Sequence, residues 1–151
     1  MDYVKLKGMV EETIPWVKDS GLSAEVLEAR HVVLRLPKDR HLNHVGIVYA
    51  GSLFMLMEIA GAALFTCAYP FGEYVPINKG MEIKFLNMGV TDILCDLSIS
   101  EEDAKEMTHF PTPFLLNSIP TSFIALIVEA AENKRSLSDR SSAACTPLTQ
   151  T

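Results

Sequence analysis

Apolar and polar positions follow two periods along this chain, and each change of period marks an element. Between residues 3 and 18, Val4, Met9, Val10, Ile14, Trp16 and Val17 trace a helical face; Pro15 bends or restarts the helix and Ser20-Gly21 ends it. From Ser23 to Leu36 the run SAEVLEARHVVLRL alternates with the period of two expected of half-buried strands, with a break near Ala29. Pro37 to Arg40 is a polar exit and residues 42–48 form a loop. A long helix is predicted from Ala50 to Ala68, stopping before Pro70-Phe71-Gly72. Tyr74 to Leu86 reads as a strand, with Met81, Ile83 and Phe85 on one face and Glu82 and Lys84 on the other. Asp92 to Ser100 is a second strand after the helix, and Glu101 to Met107 a short helix or loop. Pro111, Pro113 and Pro120 bar regular structure around them. Ser122 to Ala131 is a further apolar strand; Glu132 to Arg140 is turn-like and the final residues form an edge strand or loose tail.

This order, with successive strands after one long helix, favours an antiparallel sheet and an α+β class. A helix apolar nearly all round must be covered, so the sheet is expected to curl about it. With no internal repeat or linker, residues 1–151 are expected to form a single domain, with about residues 133–151 irregular.

Composition narrows the function classes. The chain has 48% hydrophobic and 21% charged residues, as an ordinary folded domain does. Its net charge of −6, with thirteen scattered Lys and Arg, gives no reason to expect nucleic acid as a partner. Cys67, Cys95 and Cys145 have no metal-like spacing and read as reduced thiols, so no metal or redox cofactor is expected. The N-terminal MDYVKLKGMVEE lacks the apolar core of a secretion signal, and a cytoplasmic location is expected.

The densest chemistry lies in LNHVGIVYAGSLFMLMEIAGAALFT, residues 42–66. From Val45 to Tyr69 the only charged residue is Glu58, so the stretch approaches the length of a membrane span. Three glycines, the central carboxylate and the absence of flanking basic clusters favour a buried helix of a soluble protein instead. A carboxylate in an apolar helix is costly unless paired or used, and burial would raise its pKa toward useful base strength. The small Ala50-Gly51 start lets another molecule approach the backbone N–H groups at the positive helix end.

Asn43, Gly51 eight positions later and Glu58 seven further on resemble the pattern of the PaaI-like hotdog-fold thioesterases. The words ETIPWVKDSGL, HLNHVG and YAGSLFMLMEIAGAAL look closest to the thioesterase branch that includes an acetyltransferase C-terminal-like half. The resemblance covers about residues 10–100, is most specific between 41 and 65, and thins after Glu101. It implies a hotdog fold, a sheet wrapped around the central helix, and hydrolysis of an acyl-CoA or acyl-carrier thioester. Coenzyme A would then enter only as part of the substrate. Asn43 would orient the attacking water or the thioester. Ala50 takes the place of the first glycine of a Gly-Gly pair, followed by Gly51, whose N–H groups stabilise an oxyanion. Glu58 matches the general base or nucleophile. His44, Gly46 and Asn78 are candidate substrate contacts, Asn78 near where some relatives hold water with Ser or Thr. Tyr49 stands where many relatives have His.

Helix geometry adds an inference of its own. Ala50 and Glu58 are eight residues apart, about 12 Å along a helix, too far for both to serve one carbonyl. A site shared across a two-fold axis follows, and the resemblance likewise implies a homodimer or dimer of dimers.

Plainer roles exist for each residue. Glu58 could pair with Lys79 or Lys84, Asn43 could close its own turn, His44 could simply be exposed, and Gly51 and Gly61 could serve helix packing. Two other functions compete with the thioesterase. His44 and Glu58 have the fourteen-residue spacing of the acyl-carrier dehydratases, without their accompanying prolines and glycine. A non-catalytic acyl-CoA binder would also tolerate Ala50 and the irregular C-terminus.

Overall fold

The N-terminal helices begin and end on local signals. In this computed structural model, which describes residues 2–69, 78, 81–107 and 126–129, α1 spans Tyr3–Glu12 and α2 spans Pro15–Ser20. The Asp2 side chain caps α1 by accepting from Val4 and Lys5 N–H at 3.1 and 3.2 Å. Pro15 restarts the helix at a position where its missing N–H costs nothing. Gly21 ends α2 in the left-handed region at φ 74°. A Cβ there would also crowd Arg40 and Pro37, at 3.1 and 3.3 Å. Gly21→Ala is therefore expected to cost about 1–2 kcal/mol, read as a lower urea midpoint with an unchanged m-value. An unchanged midpoint would exclude a strained Gly21.

Strands β1 (Ser23–Glu28) and β2 (His31–Leu36) form the hairpin that breaks at Ala29, and β3 (Ile93–Ser98) pairs antiparallel with β2. β4 (Leu126–Glu129) pairs antiparallel with β3, giving the order β1-β2-β3-β4. The expected Ser122 to Ala131 strand is described only over these four residues. Val32, Leu34 and Leu36 alternate with their β3 counterparts Ile93, Cys95 and Leu97 to build the core face.

α3 (Ala50–Ala68) lies on that face, with the predicted bounds. Its buried residues Leu53, Leu56, Ala60, Ala63, Leu64 and Cys67 recur at three- and four-residue intervals. Each fully buried Leu contributes about 1.5–3 kcal/mol, and these residues form one cluster with the strands. By length and composition α3 could cross a membrane, but half of its most apolar stretch is buried within the protein. Beyond α3, α4 (Glu101–Met107) closes over the far end of the helix, where Phe65, Tyr69 and Ala104 pack together. The chain is thus α+β, with an antiparallel sheet and one long helix on it.

One expectation fails. Residues 81–86, the described end of the predicted Tyr74 to Leu86 strand, belong to no sheet. Alternation supplies a strand with its faces, but a ladder also needs the backbone N–H and C=O groups to be brought alongside a neighbouring strand. β2 and β3 are each paired on both sides, and the outer edges of β1 and β4, which have no partner among the described residues, are not met by 81–86. Phe85, Leu86, Met88 and Val90 are consequently exposed, while Gly89 ties the segment back through its carbonyl to Val48 N–H at 2.8 Å. Lys84 lies 3.9 Å from Glu82. The proline-rich segment, the remainder of the Tyr74 strand, Cys145 and the C-terminal tail lie outside the described residues.

Asp92 fastens the start of β3 to the loop after β2. It accepts from Lys38 N–H at 2.9 Å and pairs with Arg35. The Lys38 backbone hydrogen bond is the largest influence and, with the Arg35 guanidinium and the Lys38 charge, holds its carboxyl below the usual range against the opposing effect of burial, the second largest. A depressed folded-state pKa contributes stability that is present above the unfolded value near 3.9 and lost as pH falls through the folded value. Asp92→Asn is expected to lower stability by about 1 kcal/mol at pH 7 and to narrow the gap from wild type in acid. Urea melts at pH 7 and pH 3 check this; a gap that widens in acid contradicts it.

Candidate active site

The loop leading into α3 is held by its own polar groups. Asn43 Oδ1 accepts from Val45 and Ile47 N–H at 2.9 and 3.3 Å, and its backbone N–H donates to the Ile47 carbonyl at 2.8 Å. The turn role of Asn43 is therefore filled on its oxygen side. Its Nδ2 donors have no partner among the described residues and remain available. Gly46 sits at φ 81°, exposed and with open space around it, where a side chain would be strained. His44 is exposed beside it.

Tyr49 is the N-cap of α3, and its side chain makes no capping hydrogen bond. A Ser or Asp in that place would occupy first-turn N–H groups. Here Ser52 and Leu53 N–H reach the Tyr49 carbonyl at 3.0 and 3.2 Å, whereas Ala50 and Gly51 N–H find no acceptor among the described residues. Two adjacent amides are thus left at the positive end of a 19-residue helix, flanked by small side chains. The Tyr49 ring lies over Gly51, where a Cβ would collide with it.

Glu58 stands on the same stripe as Gly51, since seven residues nearly complete two helical turns. The stripe also carries Phe54 and Ala62 and points away from the sheet-facing set. Glu58 is half-buried and makes no ion pair or hydrogen bond with any described residue; Lys84 is engaged by Glu82, and Lys79 lies outside the described residues. Phe65, at the far end of the stripe, is covered by Tyr69. Asn78 is exposed, and the residues next to it lie outside the described set. Among the described residues no three His, Cys, Asp or Glu side chains cluster as metal ligands. Burial pushes the thiols of Cys67 and Cys95 up to about 11 and about 12, which leaves both poor nucleophiles.

A second set of polar groups went unread in the sequence. His41, Ser52 and Ser20 are buried, and His41 contacts both serines. Histidine at a loop edge and serine in a first helical turn are common, so neither stood out before the fold brought them together.

The sequence matches, over residues 4–118, a family described only as a domain of unknown function, DUF4442. The chain belongs to this family. A solved Pseudomonas aeruginosa protein of unknown function, described as a probable thioesterase, is 35% identical; the match covers 72% of each chain with a TM-score of 0.67. A Shewanella oneidensis protein, provisionally named a thioesterase, is 16% identical with a TM-score of 0.57, over 65% of this chain and 75% of its own. A Chlorobaculum tepidum protein of unknown function is 20% identical, with a TM-score of 0.57 over 70% of this chain and 66% of its own. No curated protein matches. This DUF4442 chain is accordingly a member of a thioesterase-like family, as the Asn43, Gly51 and Glu58 pattern implied.

Proposed function

We propose that this DUF4442 protein is a hotdog-fold thioesterase acting on an acyl-CoA or acyl-carrier thioester, as a homodimer or dimer of dimers. The observation that carries this reading is the open stripe of α3, where two first-turn amides and a half-buried carboxylate, all without a partner among the described residues, share one helix face. Glu58 takes a proton from a water as the water oxygen attacks the thioester carbonyl carbon. The charge that develops on the carbonyl oxygen is met by Ala50 and Gly51 N–H. Collapse of the intermediate breaks the C–S bond, and the proton held by Glu58 passes to the leaving thiolate, yielding a carboxylic acid and a free thiol. Asn43 Nδ2 serves as a donor to the water or the thioester, with His44, Gly46 and Asn78 along the substrate path.

The axial separation of about 12 Å between Ala50 and Glu58 requires that the amides come from one protomer and the carboxylate from its partner. The exposed Phe54 and the exposed segment carrying Phe85, Leu86 and Met88 supply apolar surface for that pairing. Release of free thiol from short, long and aromatic acyl-CoAs by wild type and Glu58→Gln tests the proposal, with light scattering to report assembly. Turnover lost in the variant of a dimeric protein supports it; a folded dimer inactive across the panel and on acyl-carrier thioesters points to a non-catalytic binder.

A further inference from the structure

The buried polar residues among the described part of the chain are Ser20, His41 and Ser52, at 5%, 8% and 7% exposure. They form one connected chain. His41 Nε2 lies 2.9 Å from the Ser20 carbonyl oxygen, and His41 Nδ1 lies 3.0 Å from Ser52 Oγ. A carbonyl can only accept, so Nε2 carries the hydrogen, and Nδ1 accepts from the Ser52 hydroxyl. Ser20 is itself anchored, its hydroxyl donating to the Val17 carbonyl at 2.6 Å and accepting from Leu22 N–H at 3.0 Å. Trp16 packs beside the imidazole, with ring centroids 5.9 Å apart.

His41 also grips the same helix turn through its backbone. Its carbonyl accepts from the N–H of Tyr49, the N-cap, at 2.7 Å. One residue therefore holds both ends of the first turn of α3, Tyr49 by the main chain and Ser52 by the ring. Between them lie Ala50 and Gly51, whose amides the turn leaves open. Polar groups buried in an apolar core are costly, and a satisfied network restrains orientation in a way that apolar packing does not. These three are gathered where the end of α2, the loop and the start of α3 meet, directly behind the open amides.

We propose that His41 and Ser52 are positioning residues, whose buried hydrogen bond fixes the direction of the Ala50 and Gly51 amides. The inference rests on reading those amides as the oxyanion-binding element of a thioesterase. Both side chains are buried behind the turn, so their loss should act on the transition state and not on ground-state binding. A displacement of the order of 1 Å in such a turn lowers turnover about a hundredfold.

The test compares wild type, Ser52→Ala and Ser52→Thr in two readouts. On the best acyl-CoA of the panel, Ser52→Ala is expected to lower kcat about ten- to a hundredfold with KM within about twofold. Ser52→Thr, which keeps the hydroxyl, should recover most of kcat. Independently of activity, the amide resonances of Ala50 and Gly51 should shift in Ser52→Ala and stay near wild type in Ser52→Thr. Wild-type kcat in Ser52→Ala, or a loss confined to KM, overturns the proposal, as do unmoved Ala50 and Gly51 resonances. Should Ser52→Ala not fold, Ser52→Cys with its weaker donor takes its place, and kcat equal to that of Ser52→Thr overturns the proposal. Should wild type hydrolyse no thioester, the thioesterase reading fails by itself and the resonances alone decide whether His41 and Ser52 hold the turn.

Discussion

Glu58→Gln is expected to lower thioester hydrolysis about a thousandfold, within the range for loss of a general base, and to leave the melting temperature unchanged or raised. The two halves of this expectation have one physical origin. Glu58 is half-buried on an apolar helix and has no ion pair or hydrogen bond among the described residues. A structural carboxylate in such a place would be expected to hold a partner, and breaking that pair would cost stability. With no such partner among the described residues, Gln keeps the shape and breaks no pair seen there, so the fold is expected to lose little while proton transfer from water is lost. Steady-state kinetics with free-thiol detection, paired with thermal melts of the same samples, separates the cases. Full activity in the variant, or a melting temperature lowered by several degrees at unchanged activity, would show that Glu58 is structural.

Ala50→Pro should rank next, lowering kcat about a hundred- to a thousandfold, the effect of deleting one oxyanion donor, or roughly 3–4 kcal/mol. The substitution is unusually clean at this position. Ala50 is the first residue of α3, where proline is well tolerated because its missing N–H has no helical acceptor. The preceding residue must be extended, and Tyr49 already has φ −65° and ψ 130°. Proline thus deletes the amide that is proposed to meet the oxyanion while leaving the helix in place. Far-ultraviolet circular dichroism and the urea midpoint should match wild type; kcat should not. Activity retained in a folded Ala50→Pro protein would move the oxyanion role to Gly51 alone or away from this turn.

How much of this was legible in the sequence depends on the range of the information needed. The bounds of α3, the restart at Pro15 and the hairpin break at Ala29 were readable, because periodicity and turn residues act within a few positions. The alternation at 81–86 misled, because it records the faces a segment could present and says nothing of whether its backbone meets a partner strand. The spacings of eight and seven among Asn43, Gly51 and Glu58, on which the resemblance rests, lie in one continuous loop and helix and so need no tertiary information. His41 and Ser52 were not, because nothing in either residue's neighbourhood foretells a hydrogen bond across eleven positions.

By itself the sequence determined the helices, the β1–β2 hairpin, the α+β class and the stripe that aligns Gly51 with Glu58, all consequences of local dihedral preference and helical pitch. Only the tertiary structure decided which side of α3 meets β2 and β3. A helix apolar nearly all round carries no marked face, and the sheet chooses one by packing. The same packing closed Ser20, His41 and Ser52 into one buried chain and left Ala50 and Gly51 N–H without an acceptor among the described residues. Burial and partnership are properties of the assembled fold, because each depends on residues distant in sequence coming within hydrogen-bonding reach.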